Sequence, residues 1–314
     1  MKDNKSTKNG GRLLPDYYDD LGQYAAACIK DYKDAGIDLY AISLQNEPAF
    51  KEPYNSCVYK PEDYKNMLKV AGPIMKKAYP DVKIFGAEHM VWALEWPDIS
   101  FEGAIIKDKD ASQYIDIWAC HGYGNDGKTP TPDSKEAHQW EMANKNLTGT
   151  GKHLWMTETS GYQENWQHAM QLAQSMYAAL KYGKISAWVW WQISERGLGQ
   201  YVLMDLGKPG KRYYVSKNYF RYIRPGAVMV DVKTGDEKVL ATAYTHADKK
   251  TMTLVVLNTN EQEKSVKLSG AGLPAKFTLY RTSETENCTD VGTVSNSDTI
   301  SLPARSVTTF FGLL

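Results

Sequence analysis

Between residues 15 and 193 the sequence alternates five times between short apolar runs and longer amphipathic stretches, and this rhythm restricts the fold more than any other feature. The runs 39–44, 82–86, 115–120, 154–157 and 185–193 have strand length and are rich in β-branched and apolar side chains. The stretches 61–79, 98–107, 136–147 and 165–182 have helical spacing, and another at 15–35 precedes them. That first helix opens with Pro15, carries Tyr17, Leu21, Tyr24, Ala25, Cys28 and Ile29 at helical spacing and stops at Gly36. Strands alternating with helices argue for βα units and a parallel sheet. Five strands do not close an eight-stranded barrel, because the required tilt and shear need the other three. Five strands alone therefore leave the sheet open, and exposed apolar edges invite self-association.

Beyond Arg224-Pro225-Gly226 the period changes. Runs at 228–232, 239–246, 252–258, 265–268, 277–281 and 306–311 are short, with Gly, Asn, Asp and Ser clusters between them, as in a small antiparallel sandwich. The expected domains are thus 1–224, α/β, and 225–314, all-β. The short linker lacks Gly, Ser or Pro enrichment, which favours a side domain over a separately tethered module.

Charge narrows the partners. With 37 Lys+Arg against 37 Asp+Glu there is no net field to favour nucleic acid or an anionic membrane, so a neutral partner is expected. The 9 Trp and 21 Tyr supply rings with apolar faces and polar tips, suited to sugars, although most will be packing. Cys28, Cys57, Cys120 and Cys288 have neither metal nor redox spacing; Cys28 and Cys120 read as small buried hydrophobes, and a bridge between Cys57 and Cys288 stays open. No run of eighteen apolar residues exists to span a membrane, and the opening MKDNKSTKNGG lacks the apolar core of a signal peptide. No cofactor is expected.

Chemistry concentrates at two strand ends. The segment LYAISLQNEP (39–48) ends a buried strand in Asn46, Glu47 and Pro48, and LWMTETSG (154–161) ends another in Glu158. In a parallel sheet or barrel the reacting groups gather at carboxyl ends of strands, so both carboxylates open onto one face. Two carboxylates on one face are the minimum for cleaving a glycosidic bond: one protonates the leaving oxygen, and the other attacks the anomeric carbon or activates water. His121 and Tyr123, in HGYG after the strand 115–120, stand at a third strand end; no third ligand in metal spacing accompanies His121, so no metal is expected. Trp188, Trp190 and Trp191 cannot all face one way, because strand side chains alternate; Trp191 is nearest the strand end and the others read as core.

Together LQNEP, WMTETSG, AWVWWQ (187–192), KNYFRYIRPGAV (217–228) and the terminal LPARSVTTF (302–310) resemble glycoside hydrolase family 30, over nearly the whole chain. The resemblance implies an incomplete (β/α)8 TIM-type barrel, strands four to eight present, with strands 39–44 and 185–193 at the two edges of the open sheet, followed by a small all-β sandwich side domain. It makes Glu47 the acid/base and Glu158 the nucleophile of a retaining mechanism, which needs carboxyl groups about 5–5.5 Å apart. Asn46 matches a residue bonding the sugar 2-hydroxyl, with a turn-capping amide as the alternative. Tyr123 matches a tyrosine that contacts the nucleophile and would lower its pKa, His121 reads as structural and satisfied by nearby backbone, and Trp191 as a sugar platform.

The implied substrate is a plant polysaccharide, β-1,4-xylan first, with β-1,6-glucan, β-1,6-galactan and glucosides as alternatives, and the implied location is secreted or cell-surface. A glucuronate-reading arginine would fall at Glu195, whose carboxylate repels a uronate, with Arg196 one residue away. Met1 resembles an internal methionine of a longer chain. A second reading is a non-catalytic glycan-binding remnant.

Overall fold

The computed structural model describes residues 1–124 and 131–314. Strands β1 (Ala41–Ser43), β2 (Lys83–Met90), β3 (Ile117–His121), β4 (His153–Glu158) and β5 (Ala187–Trp188) form one parallel sheet in chain order, with β1 and β5 at its two edges. This is the open sheet expected of strands four to eight in the register that the resemblance implies. Its last strand is much shorter than the apolar run 185–193, of which only two residues join the ladder.

Helices α1 (Tyr18–Asp34) and α2 (Pro61–Ala78) pack together. A single turn of 3-10 helix, Pro15–Tyr17, opens α1, and its buried face is Tyr18, Gly22, Ala25 and Ile29. That face is rotated from the expected one: Tyr24 is exposed, because Gly22 lets α1 approach α2 so closely that a Cβ there would stand 2.8 Å from the Ala71 carbonyl oxygen. Pro61 starts α2 where a missing N–H costs nothing, and Tyr64, Met67, Leu68, Ala71 and Met75 recur at helical spacing on its buried side. Short helices α3 (Phe101–Ile106) and α4 (Lys109–Ser112) follow β2, capped by the Ser100 and Asp108 side chains. Helix α5 (Lys135–Asn146) lies between β3 and β4 in sequence.

The described chain divides into two compact units. The first holds the five-stranded sheet with α1 to α4. The second holds α6 (Trp166–Lys181), a small sheet of β6 (Ser194–Glu195), β7 (Met204–Asp205) and β8 (Lys208–Pro209), α7 (Lys211–Phe220) and the antiparallel strands; α5 contributes to both. In the second unit β9 (Val228–Val230), β10 (Val239–His246), β11 (Thr251–Asn258), β12 (Lys264–Lys267), β13 (Lys276–Thr282), β14 (Thr289–Ser295), β15 (Thr299–Leu302) and β16 (Ser306–Leu313) make a six-stranded sheet, β14-β13-β16-β11-β10-β9, and a two-stranded one, β12-β15. Alternate residues Val239, Ala241, Ala243, Leu254, Val256, Phe277, Leu279 and Phe310 meet Ile300 and Leu302 in its core. Strands β14 and β15 are additions to the six that periodicity indicates: β14 carries Asp290 and Gly292 and is largely exposed, and β15 has four residues, so neither shows a long apolar alternation.

All four cysteines are free, so the bridge left open between Cys57 and Cys288 does not form; Cys120 is buried, whereas Cys28 is only partly so. Among the described residues no helix is long and apolar enough to cross a membrane.

Candidate active site

Three adjacent strand ends and one loop build the site, and two of the strands carry a one-residue irregularity there. Ala87 pairs with Ala119 and His89 with Cys120, so Glu88 is an extra residue in β2; Cys120 pairs with Met156 and His121 with Glu158, so Thr157 is extra in β4. Strand side chains alternate between faces, and a bulge breaks the alternation and re-aims the side chains beyond it. Glu88 accordingly adopts a left-handed backbone, φ 58°, and Glu47, in the loop after β1, another at φ 46°. Such conformations are costly for residues with a Cβ and persist only where surrounding packing imposes them.

The result is a cluster of carboxylates around one imidazole. His121, fully buried, places Nδ1 3.0 Å from Glu47 Oε1, so its partner is a side chain and not the backbone groups expected from sequence. The Tyr123 phenol donates to Glu158 Oε1 at 3.0 Å. One oxygen each of Glu47 and Glu158 and one His121 nitrogen all lie within 4.8 Å of one another. These are the described residues best suited by type to hold an ion, yet His121 and Glu158 already share hydrogen bonds with protein groups, an arrangement that serves proton transfer more directly than coordination.

Burial raises Glu158 above the usual glutamate range and outweighs His121 and the Tyr123 phenol, which favour its carboxylate; Glu47 adds a further upward push. The phenol's hydrogen bond acts downward on Glu158, as expected from the sequence, but burial is the larger effect and leaves the pKa raised.

Asn46 is exposed; its backbone carbonyl accepts from the Gln45 side chain, and among the described residues no hydrogen bond engages its own amide. Trp191 is half exposed, and Trp190 is buried with Nε1 donating to the Tyr201 carbonyl at 2.9 Å. Glu195 accepts from Gln192 Nε2 at 3.2 Å, and Arg196 is exposed.

Three residues that sequence reasoning passed over belong to the site's surroundings. Glu88 is 7% exposed, accepts a hydrogen bond from the Ser43 hydroxyl and places Oε1 4.0 Å from His121 Nε2. His89 is buried against Phe101 and Phe50, and burial holds its imidazole down to about 4. Tyr54 is exposed, and partial burial with the charges of Glu52, Glu47 and Glu158 raises its phenol. The available signal was polar: Glu88-His89 interrupts an apolar strand, which hydrophobic period alone ends at Gly86.

Two family models cover most of the chain: the glycosyl hydrolase family 30 TIM-barrel domain matches residues 1–202 and the family 30 beta sandwich domain matches residues 226–310. The chain belongs to glycosyl hydrolase family 30. Glucuronoxylanase XynC of Bacillus subtilis is 26% identical over 311 residues, covering 95% of this family 30 chain and 67% of that relative. Among solved structures, a GH30 endoxylanase from Clostridium papyrosolvens C71 superposes with a TM-score of 0.83 at 26% identity, covering 97% of this chain and 73% of that one. The subfamily 8 xylanase Xyn30A of Clostridium acetobutylicum gives 0.80 at 24%, covering 100% and 77%. This family 30 chain therefore presents a partial parallel barrel of five strands and the family's antiparallel sandwich.

Proposed function

We propose that this chain is a retaining endo-glycosidase of β-linked plant polysaccharide, β-1,4-xylan first, acting by double displacement. The observation that carries the reading is the approach of Glu47 and Glu158 oxygens to within 4.8 Å. Inverting pairs stand about 6.5–9.5 Å apart to admit a water, and retaining pairs about 5–5.5 Å. In the first step a Glu158 oxygen bonds to the anomeric carbon, the glycosidic C–O bond breaks, and the proton of Glu47 goes to the departing oxygen. In the second, Glu47 takes a proton from water, the water oxygen bonds to the anomeric carbon, and Glu158 leaves as carboxylate. Tyr123 holds the nucleophile through its 3.0 Å hydrogen bond. Asn46 is assigned the sugar 2-hydroxyl and Trp191 a stacking face, with His121 holding Glu47.

The names of the xylan-cleaving relatives support xylan over β-1,6-glucans, galactans and glucosides, and a secreted or cell-surface place suits a polymeric substrate. The barrel portion is assigned to 1–224 and the side domain to 225–314. Glu195 at the position where a cation would read a uronate speaks against a requirement for uronate side groups, with the exposed Arg196 one residue on as the alternative reader. A second reading, glycan binding without turnover, is favoured by one observation: the sheet ends on two unpaired edges, β1 and β5.

Hydrolysis of xylan by the chain, followed by proton NMR of the first-formed anomer, separates these. A β product supports retention, an α product removes it, and binding of xylo-oligosaccharides without hydrolysis supports the second reading. Glu47→Gln should lose about 10²–10⁴-fold on xylan but far less on activated aryl xylosides, whose leaving groups need little protonation, with azide rescuing the slow second step. Equal, unrescued losses on both substrates would exclude the acid role.

A further inference from the structure

We propose that Arg212 is a positioning residue, which through backbone carbonyls holds the segment 190–203 in the conformation that presents Trp191 to the glycan. The inference rests on the assignment of Trp191 as a stacking face.

Arg212, the second residue of α7, is fully buried, and its donors point in several directions. Nε stands 3.1 Å from Glu164 Oε2 without the alignment of a hydrogen bond. The other two nitrogens serve backbone: Nη2 donates to the Gly199 and Val202 carbonyls, each at 2.5 Å, and Nη1 to the Tyr162 carbonyl. The guanidinium also faces the Trp190 ring, 5.8 Å from its centroid. Glu164 is itself fixed: Oε1 accepts from the Lys211 N–H at the start of α7, and a Cβ on Gly210 would stand 2.4 Å from that oxygen. All of these residues belong to the second unit.

The consequence is a complete set of partners for an irregular stretch. Residues 199–203 lie outside any helix or strand, where backbone groups ordinarily turn to water. Here Arg212 engages the Gly199 and Val202 carbonyls, the Gly161 N–H donates to Gln200 O at 3.1 Å, Trp190 Nε1 to Tyr201 O at 2.9 Å, and the Gly210 N–H to Leu203 O at 3.0 Å. Five consecutive carbonyls bonded within the protein leave the stretch one well-determined path. Trp190 and Trp191 are neighbours in the chain: the first is buried and tied to this stretch, and the second is half exposed. Fixing Trp190 therefore fixes the backbone from which Trp191 projects. A ring on an ordered backbone loses little freedom when a sugar docks on it, whereas a mobile one must be ordered by the ligand. Lysine is no substitute, because a single ammonium lacks the planar fork that reaches carbonyls on separate segments.

The test uses the full chain with Arg212→Lys and, should that buried change prevent folding, Trp190→Phe, which keeps a ring and removes the Nε1 donor. Binding of xylohexaose should weaken about tenfold in Arg212→Lys and about threefold in Trp190→Phe, because the ligand must then order the segment. In a Trp191→Ala background either substitution should weaken binding further by less than about twofold, since the effect runs through Trp191. On xylan KM should rise while kcat stays within about threefold; a merely unstable variant gives the reverse, a fall in kcat with KM unchanged. Full additivity with Trp191→Ala, or that reverse split, overturns the inference. A third measurement uses no glycan. In the wild-type chain the Trp190 indole N–H, assigned by its loss in Trp190→Phe, should be protected from hydrogen exchange, and Arg212→Lys should remove the protection. An unprotected wild-type indole overturns the inference even if xylan hydrolysis stands. If the wild-type chain binds no xylohexaose while the protection is present and depends on Arg212, the functional reading fails and the anchoring of the segment by Arg212 remains.

Discussion

The sandwich core and the carboxyl end of the parallel sheet solve opposite problems. In the sandwich, β10, β11 and β16 pair over eight residues without a register break, and Phe277 and Phe310 meet edge to face at 6.1 Å inside an apolar cluster. At the sheet end, within a few residues, two strands slip register, two glutamates adopt left-handed backbone, and the carboxyl groups of Glu47, Glu88 and Glu158 surround a buried imidazole. Regular pairing and apolar burial lower the free energy; buried carboxylates and bulges raise it and persist because the rest of the sheet imposes them. Mutations should therefore separate: at the sheet end activity falls while stability holds, and in the sandwich stability falls first.

The largest separation is expected at Glu158→Gln. It removes the attacking group, so xylan turnover should fall by about a thousandfold or more, while the melting temperature at neutral pH is unchanged or higher because a buried ionisable group becomes neutral. A large drop in melting temperature would break the contrast. Phe310→Ala is the reverse experiment. Phe310 is fully buried, and truncation should cost about 3–5 kcal/mol by chemical denaturation, with kcat per folded molecule retained.

Glu102, nearly fully buried in α3, tests whether a carboxyl away from the reacting pair also carries a stability cost. Burial pushes its pKa up to about 8, against which the Asn146 amide acts weakly. The folded protein holds this proton more tightly than the unfolded chain, so the stability it supports is present at low pH and is lost as pH rises from the ordinary glutamate range through 8. Each pH unit in that window corresponds to about 1.4 kcal/mol at most, so the melting temperature should decline between pH 5 and 8 and Glu102→Gln should flatten that decline. An unchanged slope would show that Glu102 is solvated.

The smallest effect is expected for Tyr123→Phe. Its hydrogen bond favours the Glu158 carboxylate, so removing it raises an already raised pKa and moves the acidic limb of kcat/KM upward by about one pH unit, from about 1.5 kcal/mol for a hydrogen bond to a charged acceptor. Activity should fall more at pH 5 than at pH 7. A downward movement would contradict the direction of the phenol's effect.

How much of this could be read without coordinates depended on whether the signal was local. A buried strand announces itself by a run of apolar residues, and its end by a polar or proline break, so Glu47 and Glu158 were visible as the first carboxylates past two such runs. The alternation of strands and helices was enough for a parallel sheet; its order and its two open edges followed only from the barrel register that the family resemblance implies. It failed where periodicity is short or mixed: β5 keeps two residues of an apolar run of nine, and β14 and β15 lack the alternation that would have exposed them.

The partner of His121 lay beyond such reading, because Glu47 and His121 are 74 residues apart and meet only when β1 and β3 stand one strand from each other. Glu88 was hidden for a different reason. Its direction depends on a register slip between β2 and β3, and a slip is a property of two strands together. Which side chains are equipped for chemistry, and at which strand ends they stand, is legible in the chain itself, because hydrophobic period and residue order are written one position at a time. Which of them touch is settled by folding, because distance, bulge and burial arise only from pairing and packing between segments remote in the chain.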